Sequence, residues 1–447
     1  MKIERFEVKG FKNLRQSAVL DELAGVNVIH GENNIGKSNL LQAMDLFFWL
    51  LGELAKQKYS VPSGVKGAAG GWVDPEEPEW LTFPYDNHLL QQRGYPIDEI
   101  FDLSEPRPIE WALKLHVDVG DFSRAGFAPG DEAGMAFLIE VRARRNTNGG
   151  VDVSTHETPE NWTARRTLFG LITVNWEIRS GADSRSFMLV DTHRRVQGVD
   201  QAEQQSDLRL TVPANMLLAL YDAKESVEPG VFQRWELFER SMNSLGPLVD
   251  EGRFVITFNR NRGRAILALQ KGRVRMPIEA LGSGVQQLAS LLARVLLGNS
   301  AFVAVEEPEL NLRYDLQLRL RDILKDITDS GLGPKQIILT SHSPAFETGE
   351  CFYAMTRTAD GPTVTRRPIK EAAMFTQQHG VQPDDQRAAF GYVSSEGLLR
   401  LSEKTRQQLG VEHGGGVVLL KRDDHPYVEV LTNEQFHQLM VGEEQGE

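Results

Sequence analysis

Gly31-Glu32-Asn33-Asn34-Ile35-Gly36-Lys37-Ser38 is the stretch on which the fold of this chain turns. Its glycines let the backbone curl until successive N–H groups point inward, the G-x-x-x-x-G-K-[ST] arrangement of a loop that cradles phosphates. Val26–His30 is a short apolar run entering the loop, and Ser38–Leu54 carries apolar residues at helical spacing. A strand, a glycine loop and a helix therefore follow one another, the context such a loop requires. The helix opening near Lys37 adds its positive end to the anion site. Lys37 would bridge the β- and γ-phosphates of ATP, and the Ser38 hydroxyl would ligate Mg2+. A chance glycine turn is the competing reading, and the flanking elements argue against it.

Two later segments fit the same chemistry. Ala301–Val305 is fully apolar and ends in Glu306-Glu307-Pro308-Glu309, the layout of a buried parallel strand delivering carboxylates to its C-terminal edge. Glu306 would hold the magnesium ion through water, and Glu307 would be the general base that polarises the attacking water. The alternative is a solvated acidic turn. Gln336–Thr340 is a second buried strand, followed by Ser341-His342-Ser343-Pro344; His342 is either a turn residue or a sensor of the γ-phosphate. Between these landmarks, Leu281-Gly282-Ser283-Gly284-Val285-Gln286 opens a helix. Ser283 can cap it with Gln286 completing a capping box, or its hydroxyl and the free N–H groups can take an anion.

The order GENNIGKS, LGSGVQQL, FVAVEEPELNL, LTSHSP resembles the stand-alone AAA ATPases of the ABC class, relatives of the ATPase halves of OLD-family nucleases and of RecF and SMC-type heads. The opening IERFEVKGFKNL is similar to their first strand and turn. The resemblance covers residues 1–54 and about 250–346. It implies an α/β P-loop NTPase of ABC-ATPase type, with a parallel core sheet, an antiparallel β lobe and a small α+β C-terminal segment. It also implies a head-to-head dimer (or higher homo-oligomer) with two ATPs between phosphate loop and opposing signature. Gly31, Asn33, Asn34, Gly36, Lys37, Ser38 and Asn39 would then contact nucleotide in one copy, Ser283 and Gly284 in the other, with Lys37, Glu307 and His342 catalytic. Three departures stand out: Val285 replaces the usual second glycine, Glu306 replaces the commoner aspartate, and Gln91 and Gln92 are the nearest candidates for a Q-loop glutamine.

Missing features narrow the subfamily. An SMC-type arm would need sustained heptads, and none occur. A transporter ATPase would have a far shorter spacer than the about 240 residues here. An OLD nuclease would add an Asp-x-Asp pair after His342, where only the adjacent pairs Asp384-Asp385 and Asp423-Asp424 stand. The reading is an ATP-hydrolysing switch or motor associated with DNA or RNA, in genome maintenance (DNA repair) or antiviral defence, controlling a partner effector such as a nuclease. A slowly hydrolysing, nucleotide-controlled interaction scaffold is the alternative.

The totals agree. The chain has 447 residues, 41% hydrophobic and 25% charged, the mix of a globular protein with a sizeable core. A net charge of −13 argues against indiscriminate coating of nucleic acid. The single cysteine, Cys351, excludes an intramolecular disulfide framework and fits a reducing cytoplasm. The opening MKIERFEVKGFKNL has no apolar core flanked by a cleavage site, so no signal peptide is expected, and the most apolar run, Leu40–Leu51, is too short to span a membrane and is interrupted by Gln42 and Asp45.

Expected boundaries are 1–59 for the first half of the ATPase core, 60–250 for an insertion, 251–350 for the second half, and 351–447 for a tail. The insertion opens on a Pro- and Gly-rich irregular stretch, 60–108, with a short helix near Asn87–Arg93. Strands over Ile109–Val119, Met135–Arg144, Leu171–Ile178 and Ser186–Val190 would form the β lobe, with helices at Asn215–Ala223 and Val231–Leu245. Arg253–Arg275 carries Arg253, Arg260, Arg262, Arg264, Lys271, Arg273 and Arg275 without one acid. It is a solvated hairpin, a partner for the acidic insertion at Asp74–Glu79, or a surface for nucleic-acid phosphates that Arg142–Arg145 would extend.

Overall fold

The structure is a computed structural model of the whole chain, and it describes residues 1–57, 71–74, 77–102, 107–117, 136–158, 161–173, 186–190, 214–245, 252–260, 263–298, 300–346, 349–371, 391–393, 399–401, 417–421 and 428–432. Two compact units emerge, Met1–Gly380 and Val381–Glu447.

In the first unit the strands are β1 (Lys2–Lys9), β2 (Ala18–Asp21), β3 (Val26–Gly31), β4 (Trp72–Asp74), β5 (Glu77–Tyr85), β6 (Ile109–His116), β7 (Ala136–Arg145), β8 (Val151–His156) and β9 (Phe187–Val190), then β10 (Arg253–Asn259), β11 (Arg264–Lys271), β12 (Val274–Pro277), β13 (Phe302–Glu306), β14 (Gln336–Ser341), β15 (Cys351–Thr358) and β16 (Gly361–Pro368). The helices are α1 (Lys37–Lys56), α2 (Asn87–Gln92), α3 (Ile97–Ile100), α4 (Trp162–Thr173), α5 (Ala214–Lys224), α6 (Pro229–Asn243), α7 (Ser283–Leu297) and α8 (Tyr314–Asp329). The second unit holds two antiparallel pairs, β17 (Gly391–Val393) with β18 (Leu399–Leu401), and β19 (Val417–Lys421) with β20 (Val428–Thr432). No helix of the described residues is long and apolar enough to cross a membrane.

Among the described residues the core is a six-stranded sheet of order β16-β15-β3-β14-β13-β9, parallel except for β16 at one edge. Side chains alternate across it, and that alternation builds three layers within the first unit. Ile29, Phe302, Ala304 and Ile338 face one layer with α1 and α4, where Phe48 stacks on Phe187 at 4.9 Å. Val28, Val303, Val305, Ile337 and Leu339 face the other, with α5 to α8. The phosphate-loop helix and the Ser283 helix thus pack on opposite faces of the sheet.

The antiparallel lobe has order β2-β1-β6-β7-β8-β5-β4. It is founded on β1, which pairs with β6 from Lys2↔His116 to Lys9↔Glu110. Gln336, buried at the start of β14, ties lobe to core: its Oε1 accepts the Ile3 N–H at 2.7 Å, and its Nε2 donates to Ile3 O at 2.9 Å. A buried amide with both ends satisfied costs little and specifies one geometry.

Several expectations change. Ser186–Val190 yields β9, a strand of the parallel core rather than of the lobe; its run FMLV is buried throughout, as a two-faced parallel strand must be. Leu171–Thr173 ends α4, whose buried Trp162, Leu168, Phe169, Leu171 and Ile172 have helical spacing; the rest of that expected strand, 174–178, lies outside the described residues, as do Val119, Met135 and the acid pairs 384–385 and 423–424. The core sheet continues past residue 350, because β15 pairs with β3 (Ala354↔His30) and β16 follows.

Candidate nucleotide and catalytic site

The parallel register sets the site. Ser341 lies opposite His30, and Glu306 opposite Thr340, so the loop after β3, the acids after β13 and the histidine after β14 leave the sheet at one edge. Ligands gather at that edge of open α/β sheets. Gly36 ends the loop with φ +119° as the N-cap of α1, and no side chain caps the helix. Its first N–H groups therefore have no side-chain acceptor, the condition for an anion site. Asn13 supports the turn from behind: its Nδ2 donates to Ile35 O at 2.9 Å, and its Oδ1 accepts from Asn39 Nδ2 at 2.8 Å.

Lys37 is buried. Its ammonium donates to Gly31 O at 2.9 Å and Glu32 O at 2.8 Å, and lies 2.9 Å from His342 Nε2. Burial pushes its pKa down to about 8, with the charges of Glu307, Glu309 and Glu32 resisting the fall. A desolvated cation on its own loop's carbonyls is what a polyphosphate would neutralise, so the residues present fit a nucleotide. Ser38 is half-buried at the head of α1, and Glu306 is 4% exposed. No group of three or more His, Cys, Asp or Glu among the described residues could hold a metal alone.

Glu307 adopts φ +39°, a conformation a non-glycine residue holds only when its surroundings impose it. Here its N–H donates to Thr340 O at 3.0 Å. The turn carries its carboxylate to the histidine, with Oε1 3.3 Å from His342 Nε2. That nitrogen cannot accept from Lys37 and donate to Glu307 together. With Lys37 charged it is the acceptor and Nδ1 carries the proton; a proton on Nε2 would turn the pairing to Glu307. Glu309 accepts the His342 backbone N–H at 2.6 Å, and burial raises its pKa despite that bond. His30, one strand away, donates from Nδ1 to Ser341 O at 3.0 Å; burial lowers its pKa to about 4, so it stays neutral.

Asn33 and Asn34 are exposed on the loop, Asn34 with φ +57°. Ser283 and Gly284 lie at the start of α7, the helix that packs on the face of the sheet opposite α1. The expected capping box is absent: Gly282 is the N-cap without a side-chain bond, and Gln286 instead donates to Leu281 O at 2.8 Å and Glu279 O at 3.3 Å. The Ser283 residue is exposed. A Cβ on Gly284 would meet Asn311 O at 2.7 Å, so close backbone approach at this turn is used within the chain, while Val285 is buried.

Gln91 and Gln92 are both exposed on α2. Their neighbours reach the phosphate-loop helix instead. Arg93 Nη2 donates to both oxygens of Asp45 at 2.9 and 3.1 Å, and Tyr95 donates to it at 2.8 Å; Asp45 is 3% exposed and the Arg93 side chain 7%. Lys12 Nζ donates to Gln42 Oε1 at 2.7 Å. The signal for both was present as Gln42 and Asp45, polar residues in an otherwise apolar helix.

The arginine-rich segment does not form one patch. Register pairs Asn259 with Arg264 and Arg253 with Gln270. Arg260 and Arg264 therefore lie at one end of the β10–β11 hairpin, and Arg253, Lys271, Arg273 and Arg275 at the other, about 20 Å away at strand rise. Arg253 pairs with Glu239 at 3.0 Å; Arg260, Arg264 and Arg273 are exposed without an ion pair among the described residues, and Arg262 lies outside them. The acidic insertion has another partner: Glu77 takes Arg142 at 3.1 Å and Arg144 at 3.5 Å, while Arg145 pairs with Asp98. Arg142–Arg145 are thus already neutralised on the lobe.

Residues 1–68 match the family described as AAA ATPase domain, and residues 188–346 match that described as AAA domain, putative AbiEii toxin, Type IV TA system. No curated protein matches the chain. Among solved structures, an SmcHead bound to the C-winged helix domain of ScpA is 16% identical, with 84% of this chain and 100% of that one covered at a TM-score of 0.49. The SMC head domain from Thermotoga maritima is 14% identical over 82% and 99% of the two chains, TM-score 0.42. The Smc head domain with an extended coiled coil from Pyrococcus furiosus, bound to the C-terminal domain of ScpA, is 14% identical over 84% and 98%, TM-score 0.46.

Proposed function

We propose that this chain, an AAA-type ATPase of the ABC class, hydrolyses ATP at a site completed by a second copy of itself. One observation carries the proposal: the phosphate-loop helix and the Ser283 helix pack on opposite faces of the core sheet. Ser283 therefore suits a nucleotide held by another copy. Gly31, Asn33, Asn34, Gly36, Lys37, Ser38 and Asn39 would hold ATP, with Ser38 and Glu306 on the Mg2+ side and Ser283 and Gly284 arriving from the partner. Bound ATP–Mg2+ supplies the reacting phosphoanhydride and its counter-charge. Lys37 would leave its own loop's carbonyls for the phosphates, freeing His342 Nε2. Glu307 would orient and deprotonate the attacking water beside it.

The output of this cycle would be a switch acting on DNA or RNA and on a partner effector, in genome maintenance or antiviral defence in the cytoplasm. The description of the family matching residues 188–346, which names a putative toxin, supports the defence reading. Two exposed arginine groups about 20 Å apart support contact with separated phosphates rather than a continuous basic surface. ATP turnover with and without DNA and RNA, together with light scattering of Glu307→Gln, tests the proposal. Turnover should vanish in Lys37→Ala, and Glu307→Gln should lower hydrolysis roughly 100-fold while accumulating as an ATP-dependent dimer. A Glu307→Gln protein that stays monomeric in ATP would contradict it.

A further inference from the structure

We infer that Glu309 is a positioning residue of the ATPase site, holding His342 through its backbone N–H. The inference rests on the catalytic reading of His342 and Glu307 above. The loop Ser341-His342-Ser343-Pro344 is pinned on both sides by serines: Ser341 Oγ accepts the Ser343 N–H at 3.0 Å, and Ser343 Oγ donates to Gln317 on α8 at 2.6 Å while accepting the Ala345 N–H at 3.1 Å. Neither serine holds His342 itself. The bond to its N–H comes from Glu309 Oε1, at 2.6 Å.

Glu309 is half-buried with its Oε2 sealed from solvent, and the Ser341 side chain and the residue's own backbone N–H also act on its carboxylate. Taking a carboxylate out of water is costly even with these bonds, and here burial outweighs them in raising its pKa. The cost is understandable where it fixes a catalytic geometry. From His342, Nε2 reaches Lys37 at 2.9 Å and Glu307 at 3.3 Å, so a shift of the His342 backbone moves the imidazole against both. Glu309 links the turn after β13 to the loop after β14 at the point where those two groups meet.

Reach, rather than charge, is what this role needs. Glu309→Gln keeps an acceptor at the same distance from the backbone; Glu309→Asp keeps the charge on a side chain one carbon–carbon bond shorter. The test is kcat and KM for ATP in the wild type, Glu309→Gln, Glu309→Asp, Glu309→Ala, His342→Ala and the Glu309→Ala/His342→Ala pair, with a thermal melt of each. Glu309→Gln should stay within about threefold of wild type, while Glu309→Asp and Glu309→Ala lose roughly ten- to a hundredfold in kcat at little-changed KM. Glu309→Ala should cost nothing further once His342 is removed, since residues acting as a unit are non-additive. Should Glu309→Ala melt below the assay temperature, the Gln and Asp variants decide alone. An active Asp variant beside an inactive Gln variant, or losses that multiply with His342→Ala, would overturn the inference and leave the site reading intact. A His342→Ala enzyme with wild-type turnover would instead remove the catalytic reading on which it rests.

Discussion

Lys37 makes ATP binding depend on pH in a way that can be worked out from its surroundings. Burial holds its ammonium at about 8 against 10.5 when solvated, a gap worth at most about 3 kcal/mol. The folded pKa lies below the unfolded one, so beneath pH 8 the folded chain bears the full cost of a desolvated charge. As pH rises from about 8 past 10.5 the unfolded state holds the extra proton, and the folded protein gains stability across that window. ATP reverses the effect, because its phosphates favour the charged lysine. Well below pH 8 binding moves almost no proton at this group. As pH rises past it, each binding event takes up to one proton, and affinity falls up to tenfold per pH unit. Calorimetric titration with ATP in two buffers of different ionisation enthalpy reads the proton directly. Lys37→Met should lose ATP binding, gain up to about 3 kcal/mol in nucleotide-free stability near pH 7, and lose the alkaline rise in stability. Zero proton uptake at pH 8.5 with an affinity flat from pH 7 to 9.5 would refute the reasoning.

Arg93→Ala should leave Asp45 charged and buried on the phosphate-loop helix, costing about 3 to 5 kcal/mol in denaturant unfolding, whereas Arg93→Lys should recover part of that. Gly36→Ala forces a side chain into φ +119° with its Cβ 2.7 Å from Asn13 Oδ1; ATP affinity should fall at least about tenfold while the melt shifts by about 1 to 3 kcal/mol. If DNA or RNA binds the hairpin, Arg260→Glu with Arg264→Glu should reduce the salt dependence of binding by about two counterions, and Lys271→Glu, Arg273→Glu and Arg275→Glu together by about three. An unchanged slope in either set assigns that end of the hairpin to solvent.

What could be read from the sequence is local or periodic. The loop at Gly31–Ser38, the apolar strand before Glu306 and the strand before His342 each announce themselves within ten residues, and a parallel sheet brings their C-terminal ends together without further instruction. The α4 helix was readable too, since Trp162, Phe169 and Ile172 repeat at helical intervals, but its Leu-Ile-Thr ending resembles a strand when taken alone. β9 shows the opposite case: four apolar residues suit either a lobe strand or a buried parallel one, and its pairing with β13 decides between them. Asp45 and Gln42 advertise unmet polar needs, yet their partners Arg93, Tyr95 and Lys12 are tens of residues distant along the chain. Glu309 looks like one more acid after a strand, and its task becomes visible through a bond to a backbone N–H that spacing cannot reveal. The arginine segment reads as one patch along the chain and becomes two because hairpin pairing separates its ends.

A mixing experiment tests the composite site most directly. Lys37→Ala destroys the phosphate loop and keeps the Ser283 turn; Ser283→Arg destroys that turn and keeps the loop. Each alone should hydrolyse ATP negligibly. Mixed in equal amounts, half the dimers would be mixed, each with one intact site built from the wild-type halves of both copies. The mixture should therefore recover toward about a quarter of the wild-type rate. No recovery, with subunit exchange demonstrated independently, would contradict the claim that two copies share each site.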